Sequence, residues 1–178
     1  MSRAKTRNFL VLGHLLAAGL LAPLFILVAI TGGLYLYGNK GETVETALSI
    51  PAEIVIDQDA PDIEGSVRSV LAANDLPQDF EYLKMRSGSI TTRPTSRDFV
   101  MLEQDGDAWI ATLHEPNLQY RMMELHKGHG PQNFKLYQIF AAISLFLVVL
   151  GGVAVGLMAP GYRNKTLGSL AVGTVLFA

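Results

Sequence analysis

The sequence predicts an α+β fold, in which two transmembrane helices and a short C-terminal apolar segment flank a domain of one helix on an antiparallel meander. Residues 9–37 and 136–162 contain no Asp, Glu, Lys or Arg. Each run exceeds the roughly 20 apolar residues that a helix needs to cross about 30 Å of hydrocarbon. Between them, short runs of branched and aromatic residues alternate with turn residues, as in antiparallel sheets.

The charge distribution predicts an orientation. Residues 1–8 and 163–178 carry five bases and no acid, whereas residues 38–135 carry nine bases and 16 acids, a net charge of −7. Because basic segments stay in the cytoplasm, we expect both ends inside and the central domain outside. The acidic domain argues against nucleic acid as a partner. The absence of cysteine excludes thiol chemistry and disulfides.

The first span is predicted over residues 9–37, after a cytoplasmic N-terminus at 1–8. Pro23 predicts a kink, because proline lacks the amide hydrogen that a helix interior uses. Small residues at four-residue spacing predict a face on which another helix packs closely. These interaction residues are Gly13, Ala17, Ala18 and Ala22.

Residues 38–133 are predicted to form the domain. Asp62 is a helix start signal, and the apolar residues from Ile63 to Leu71 recur at helical spacing until Asn74. In the run 108–114, alternate residues are apolar, so that one face of a strand can pack on this helix. Extended or irregular pieces are expected at 43–49 and 53–56, strands at 80–85, 99–103, 108–114 and 118–123, and connections around Gly88 and Pro94.

The second span is predicted over residues 134–158, followed by a cytoplasmic turn at 159–166 and a partial membrane or interfacial helix at 167–178. Gly152 and Gly156 form another small-residue pair at which helices can pack. The last 12 residues reach only about 18 Å as a helix. The segment therefore lies at the interface, re-enters halfway against other protein, or belongs to a longer parent chain.

Two stretches carry a family resemblance. Thr31-Gly32-Gly33-Leu34-Tyr35-Leu36-Tyr37, with His14 and Gly19 before it, resembles the first helix of the PepSY-associated transmembrane proteins. Leu125-His126-Lys127-Gly128-His129-Gly130 is similar to the Leu-His-Lys-Gly-x-Gly element before their next membrane helix, and the helix and strands between resemble their PepSY domain. The resemblance covers most of the chain from Leu12 to about Tyr162. It implies a multi-pass protein of the bacterial inner membrane whose central domain lies in the periplasm.

The resemblance also raises a cofactor question, because larger relatives include haem-containing reductases for iron carriers. A histidine near the position of His14 can ligate haem in them, and Met158 or the His14 of a second copy would be its partner here. The other interpretation of His14 is an interfacial residue bonded to a backbone carbonyl or a lipid headgroup. Since the chain has two full spans and no flavin or nicotinamide motif, no cofactor is expected, and haem b is the alternative.

His126 and His129 form a His-x-x-His pair, a candidate metal site. Zinc would need a further ligand, for which Glu124 and His114 are nearest in sequence. Two other interpretations stay open. The stretch is either a polar, glycine-flexible elbow or a pH-sensitive contact. In the elbow, Lys127 lies at the headgroup level and is an interaction residue.

No catalytic set assembles from the sequence. The acids from Asp57 to Glu64 fit a solvated helix entrance, and there is no nucleophile elbow or phosphate loop. We therefore expect a non-catalytic accessory or regulatory subunit that binds lipid and other integral membrane proteins, or a larger membrane complex. The partner could also be a second copy of this chain, in a homo-oligomer. The alternatives are a small haem-binding redox protein related to PepSY-type ferric-siderophore reductases and, by fold analogy, a periplasmic peptidase regulator.

Overall fold

The computed structural model describes residues 3–178, apart from the side chains of residues 3–11 and 14. Within this part, five helices and a five-stranded sheet confirm the predicted α+β class. The helices are α1 Arg3–Leu36, α2 Ile63–Ala73, α3 Leu118–His126, α4 Gln132–Met158 and α5 Arg163–Phe177. The strands are β1 Thr43–Leu48, β2 Tyr82–Arg86, β3 Ser89–Arg93, β4 Phe99–Asp105 and β5 Ala108–Pro116.

The sheet is antiparallel, with strand order β1-β5-β4-β3-β2. The consecutive strands β2 to β5 each pair with their chain neighbour, which confirms the antiparallel meander. β1 adds to the free edge of β5, with Thr43 opposite Pro116 and Glu45 opposite His114. Residues of β1 and β5, which are far apart in the sequence, therefore lie side by side in the sheet.

The hydrophobic core lies between α2 and one face of the sheet. Val67 and Val70 of α2 are fully buried against Ile90, Leu102 and Ala111. Burial of one such branched side chain stabilises the fold by about 1.5–3 kcal/mol. The predicted alternation in β5 is confirmed, since Trp109 and Leu113 also pack on this core whereas Ile110 is 49% exposed.

The caps of α2 confirm its predicted bounds. The side chain of Asp62 accepts a hydrogen bond from the Gly65 amide at 3.2 Å, which satisfies one unpaired donor of the first turn. Asn74 is the residue at which the helix ends, and its side-chain amide also donates to the Ser49 carbonyl at 2.8 Å. The helix end is thereby joined to the segment that follows β1.

Two predictions about the domain are wrong. Residues 118–123 form part of helix α3 and not a strand, because the Asn117 side chain accepts from the Tyr120 amide at 2.9 Å and starts a helix. The domain therefore has a second helix beside α2. Strand β3 occupies the region predicted as a connection, after a tight turn at Ser87 and Gly88. Residues 53–56 are irregular, one of the two forms predicted for them, and Ile56 packs into the core from this loop.

Two helical stretches, Leu15–Leu36 and Gln132–Met158, are long and apolar enough to span a membrane by length and composition. The buried share of their apolar windows is only 17% and 6%, whereas the core helix of a soluble protein is mostly buried. α1 continues through Pro23. α5 has 15 residues and begins at Arg163, four residues before the predicted start.

The chain divides into two compact units. One contains residues 1–24 and 138–178, and the other contains residues 25–137. The second unit holds the sheet, α2, α3 and the adjoining ends of α1 and α4. The candidate site lies within this second unit.

Candidate functional site

Helix α3 ends in a Schellman cap. The Gly128 amide donates to the Leu125 carbonyl at 3.1 Å, and the His129 amide donates to the Glu124 carbonyl at 2.9 Å. Gly128 has φ +79°, which L side chains rarely adopt, so glycine is required at this position. The predicted glycine-flexible elbow is therefore a helix cap with defined hydrogen bonds.

This cap brings the side chains of Glu124 and His129 together. In a Schellman motif the third-last helical residue lies beside the second residue after the cap, usually in an apolar contact. Here that contact is polar, because His129 Nδ1 lies 2.7 Å from Oε2 of Glu124. The local backbone thus explains a pairing that the His-x-x-His spacing does not indicate.

Glu124 is the centre of a charged cluster. Only 4% of the residue is exposed, yet its carboxylate accepts from Lys127 Nζ at 2.8 Å and from Thr95 Oγ1 at 2.5 Å. Arg93 Nη1 donates to the same Thr95 hydroxyl at 2.7 Å and lies 3.7 Å from Glu124 Oε2. The cluster therefore joins α3, the residues after its cap and the end of β3.

The electrostatics of this cluster favour an ionised carboxylate. Burial acts to raise the pKa of Glu124, but hydrogen bonds from Lys127, Thr95 and His129 outweigh it, so the pKa lies below the ordinary value. A carboxyl group used as a general acid near neutral pH needs a raised pKa. Glu124 is therefore suited to anchoring and not to proton transfer.

A second contact joins the two stretches that carry the family resemblance. His126 Nδ1 lies 2.7 Å from Oγ1 of Thr31, which is fully buried in α1. The Thr31 hydroxyl donates its one proton to the Leu27 carbonyl at 2.7 Å, so its oxygen can accept from the imidazole. A Cβ on Gly32 would stand 3.7 Å from His126 Cε1, so the imidazole lies against this helix.

The sheet face opposite α2 carries a polar groove of about 530 Å³. Lys84, Arg86 and Arg93 line it from β2 and β3, and Glu45 and Glu103 line it from β1 and β4. Phe99, His114 and Tyr120 add an aromatic wall, in which the Phe99 and His114 rings stack with centroids 4.8 Å apart. The groove thus presents both signs of charge beside a stack of rings.

Two buried polar atoms at this groove lack partners among the described residues. They are Nε of Arg93 and Nε2 of His114. His114 is 6% exposed, and its other ring nitrogen lies 3.4 Å from Oε1 of Glu45. Burial lowers the pKa of His114 and outweighs the opposing effect of Glu45 and Glu103, so the neutral ring is favoured.

The two histidines of the predicted metal pair contact different side chains. His126 contacts Thr31 and His129 contacts Glu124. In the part of the chain that the structure describes, no group of three or more His, Asp or Glu side chains is arranged to hold a metal ion. The zinc interpretation therefore lacks its further ligand within these residues.

The predicted haem ligands remain predictions. The side chain of His14 lies outside the described residues. Met158 stands in the last turn of α4 and is 82% exposed.

The small interaction residues differ in their surroundings. A Cβ on Gly156 would overlap the Thr166 side chain of α5, so this glycine is already used for packing within the chain. A Cβ on Gly13 or Gly152 would meet no atom of the described residues within 4 Å. Ala17 and Ala22 are half-buried. Ala18 is exposed, and Lys127 is held by Glu124.

The sequence interpretation missed Thr31, Arg93 and Thr95 as parts of the site. The one local signal for the site was the spacing of Glu124, Gly128 and His129, which fits a Schellman cap.

Comparison with known proteins adds no family, because no family model, no curated protein and no solved structure matches this chain.

Proposed function

We propose that this chain is a non-catalytic accessory subunit of the bacterial inner membrane, which binds other integral membrane proteins. The observation that carries the proposal is helix α5. None of its 15 residues is buried, and Leu176 and Phe177 are 83% and 95% exposed. Exposed apolar side chains of this kind mark a surface that lipid or another protein covers.

The surface between α4 and α5 supports the same proposal. Gly152, Ser169 and Gly173 line a groove of about 710 Å³ between these helices. Small residues allow the backbone of another helix to approach closely, which is how helices associate in a membrane. Gly156 is covered by Thr166, whereas a Cβ on Gly152 or Gly173 would meet no described atom within 4 Å, so these two glycines of the groove are open to a partner.

The family resemblance supports a PepSY-like identity for the domain and a periplasmic location. The basic chain ends and the net charge of −7 between them favour that orientation. The Thr31–His126 contact then ties the domain to the end of the first span.

Single-cysteine cross-linking tests the proposal, because the chain has no cysteine of its own. Leu176→Cys places one thiol on α5, and Phe146→Cys places one on α4, where the residue is 62% exposed. With a thiol-reactive photocross-linker in native membranes, we expect a discrete adduct from Leu176→Cys and a much weaker one from Phe146→Cys. An adduct at twice the chain mass identifies a second copy as the neighbour. The absence of a discrete adduct from Leu176→Cys, together with a monomer after gentle extraction, contradicts the proposal.

A further inference from the structure

The free edge of strand β2 has the features of a docking site for an extended chain. In the sheet order β1-β5-β4-β3-β2, strand β2 pairs with β3 on one side and with no described strand on the other. Lys84, Met85 and Arg86 are exposed, so no described element covers this part of the strand. An exposed sheet edge is where a peptide can add as a further strand, held by backbone hydrogen bonds.

The turn after β2 sets the hydrogen-bond pattern of this edge. The Gln104 amide donates to the Gly88 carbonyl at 2.9 Å, which turns the backbone groups of Ser89 away from β4 and towards β2. Ser89 lies opposite Arg86, so these two residues exchange both of their backbone hydrogen bonds. The Gln58 side chain also fixes the turn, because it donates to the Arg86 carbonyl at 2.8 Å and accepts from the Gly88 amide at 3.2 Å. A turn that is already ordered lowers the cost of binding a partner.

The outward backbone groups of β2 belong to Leu83 and Met85. Bonded and non-bonded pairs alternate along an antiparallel ladder, and the bonded pair at Arg86 fixes which residues face β3. Lys84 therefore bonds to β3, whereas the N–H and C=O groups of Leu83 and Met85 point away from it. No described residue bonds to these outward groups. The edge thus offers two donors and two acceptors in the arrangement that a further strand requires.

The side chains of β2 differ between the two faces of the sheet. Lys84 and Arg86 lie on the open face, whereas Leu83 and Met85 lie on the face that α2 covers, where Leu83 packs on the core. Met85 is still 48% exposed. Apolar residues of an added strand would cover Met85 on this face.

The two bases have no counter-charge directly across the ladder. Their neighbours on β3 carry hydroxyl groups, with Thr91 opposite Lys84 and Ser89 opposite Arg86. Neither base forms an ion pair with any residue that the structure describes. The acid in the row of Arg86 is Glu103 on β4, about 10 Å away across β3. Opposite charges on directly facing residues stabilise a sheet, so acids at alternate positions of an added strand complement this edge.

We propose that the free edge of β2 binds an extended segment of a partner protein, in which acidic residues alternate with apolar ones. The segment adds a sixth, antiparallel strand, with its acids opposite Lys84 and Arg86 and its apolar residues opposite Leu83 and Met85. A second copy that joined through its own β2 would bring two further bases to this edge, so it does not complement the charges. The site is independent of helix α5, and its test does not depend on contacts within a membrane.

A synthetic heptapeptide, Thr-Val-Glu-Val-Glu-Val-Thr with blocked ends and a fluorescent label, tests the proposal. Its binding to the full-length protein in detergent is measured by fluorescence anisotropy. Replacing both glutamates of the peptide by glutamine should weaken binding about two- to thirtyfold, the contribution of two facing charge pairs.

Charge reversal on the protein provides the matched test. Lys84→Glu with Arg86→Glu should weaken binding of the acidic peptide at least as much, because attraction becomes repulsion. Both side chains are exposed, so the fold is retained. Lys40→Glu with Lys165→Glu changes the net charge equally at exposed positions outside the sheet, and it should leave the affinity unchanged.

Backbone methylation separates strand addition from attraction by charge alone. N-methylation of the central valine removes an amide hydrogen that faces β2, whereas N-methylation of a glutamate removes one that faces away from it. The first change should weaken binding about two- to tenfold more than the second, the loss of one backbone hydrogen bond.

Three results would overturn the proposal. The first is no binding of the acidic peptide, in which case the bases only protect this edge from pairing with other strands. The second is equal binding of the glutamine peptide. The third is an equal effect of methylation at valine and at glutamate, because that result would assign the binding to charge alone.

Discussion

Nδ1 of His126 lies 2.7 Å from the hydroxyl oxygen of Thr31, a fully buried residue 95 positions earlier in the chain. The contact joins the last residue of α3 to α1, and it therefore connects the domain that contains the sheet to a helix of span length. Because the hydroxyl also donates to the Leu27 carbonyl, the Thr31 oxygen serves both its own helix and the imidazole.

Thr31→Val should destabilise the protein, because it removes the hydroxyl and leaves the imidazole Nδ1 without this partner. We expect a loss of about 1–3 kcal/mol in the free energy of unfolding, measured by denaturation in detergent. Thr174→Val is the matched control, since its hydroxyl also donates to a carbonyl four residues earlier, at 2.8 Å, but from an exposed position on α5. Equal losses for the two variants would show that the contact with His126 does not contribute.

Glu124→Gln should destabilise the domain by on the order of 2 kcal/mol. Glutamine keeps the shape of the side chain, but it cannot offset the charges of Lys127 and Arg93 in a site that is 4% exposed. Glu64→Gln is the control, because its 3.6 Å pair with Arg68 is exposed and should change stability by less than about 0.5 kcal/mol. Similar denaturation midpoints for both variants would argue against a stabilising role of the cluster.

His114 should make stability depend on pH. Its pKa is lowered from 6.5 by burial, so the unfolded chain binds a proton at a higher pH than the folded protein does. Stability is therefore full above pH 6.5 and declines as the pH falls from 6.5 towards the lower folded value. His114→Gln should flatten the profile of unfolding free energy in this window. Parallel profiles for wild type and variant would contradict the assignment.

Glu124 should give a second, separate decline at lower pH. Its pKa is lowered from 4.5, so the stability it contributes is full above pH 4.5 and is lost as the pH falls through the folded value. The decline below pH 4.5 should persist in His114→Gln and disappear in Glu124→Gln. A decline that is unchanged in Glu124→Gln would assign it to other carboxylates.

Gly128→Ala should cost about 1 kcal/mol or more, because alanine is strained at φ +79°. The substitution should also disturb the Glu124–His129 contact, which the cap positions. Gly151→Ala is the control, since a Cβ added to this helical glycine would meet nothing within 4 Å and its φ is not positive. Thermal denaturation of both variants in the same detergent provides the measurement, and an unchanged midpoint for Gly128→Ala would contradict the strain argument.

Several elements could be predicted because their signals are local. Asp62 and Asn74 bound an apolar period of 3.6 residues, and the structure places α2 between them. The alternation around Ala111 likewise predicted which face of β5 is buried. In residues 118–123 the sequence carried competing signals. The aromatic and branched residues favoured a strand, whereas Asn117 and Gly128 fit the two ends of a helix, and hydrogen bonds at both ends decide for the helix.

The sequence by itself determined the two apolar runs of span length, helix α2 and the patterned strands β4 and β5. These features depend on composition, periodicity and capping within a few neighbouring residues. Only the tertiary structure decided that β1 lies beside β5, that Thr31 meets His126, and that Thr95 reaches Glu124 from 29 residues away. Such contacts depend on which faces pack together in three dimensions, and a local pattern does not encode that choice.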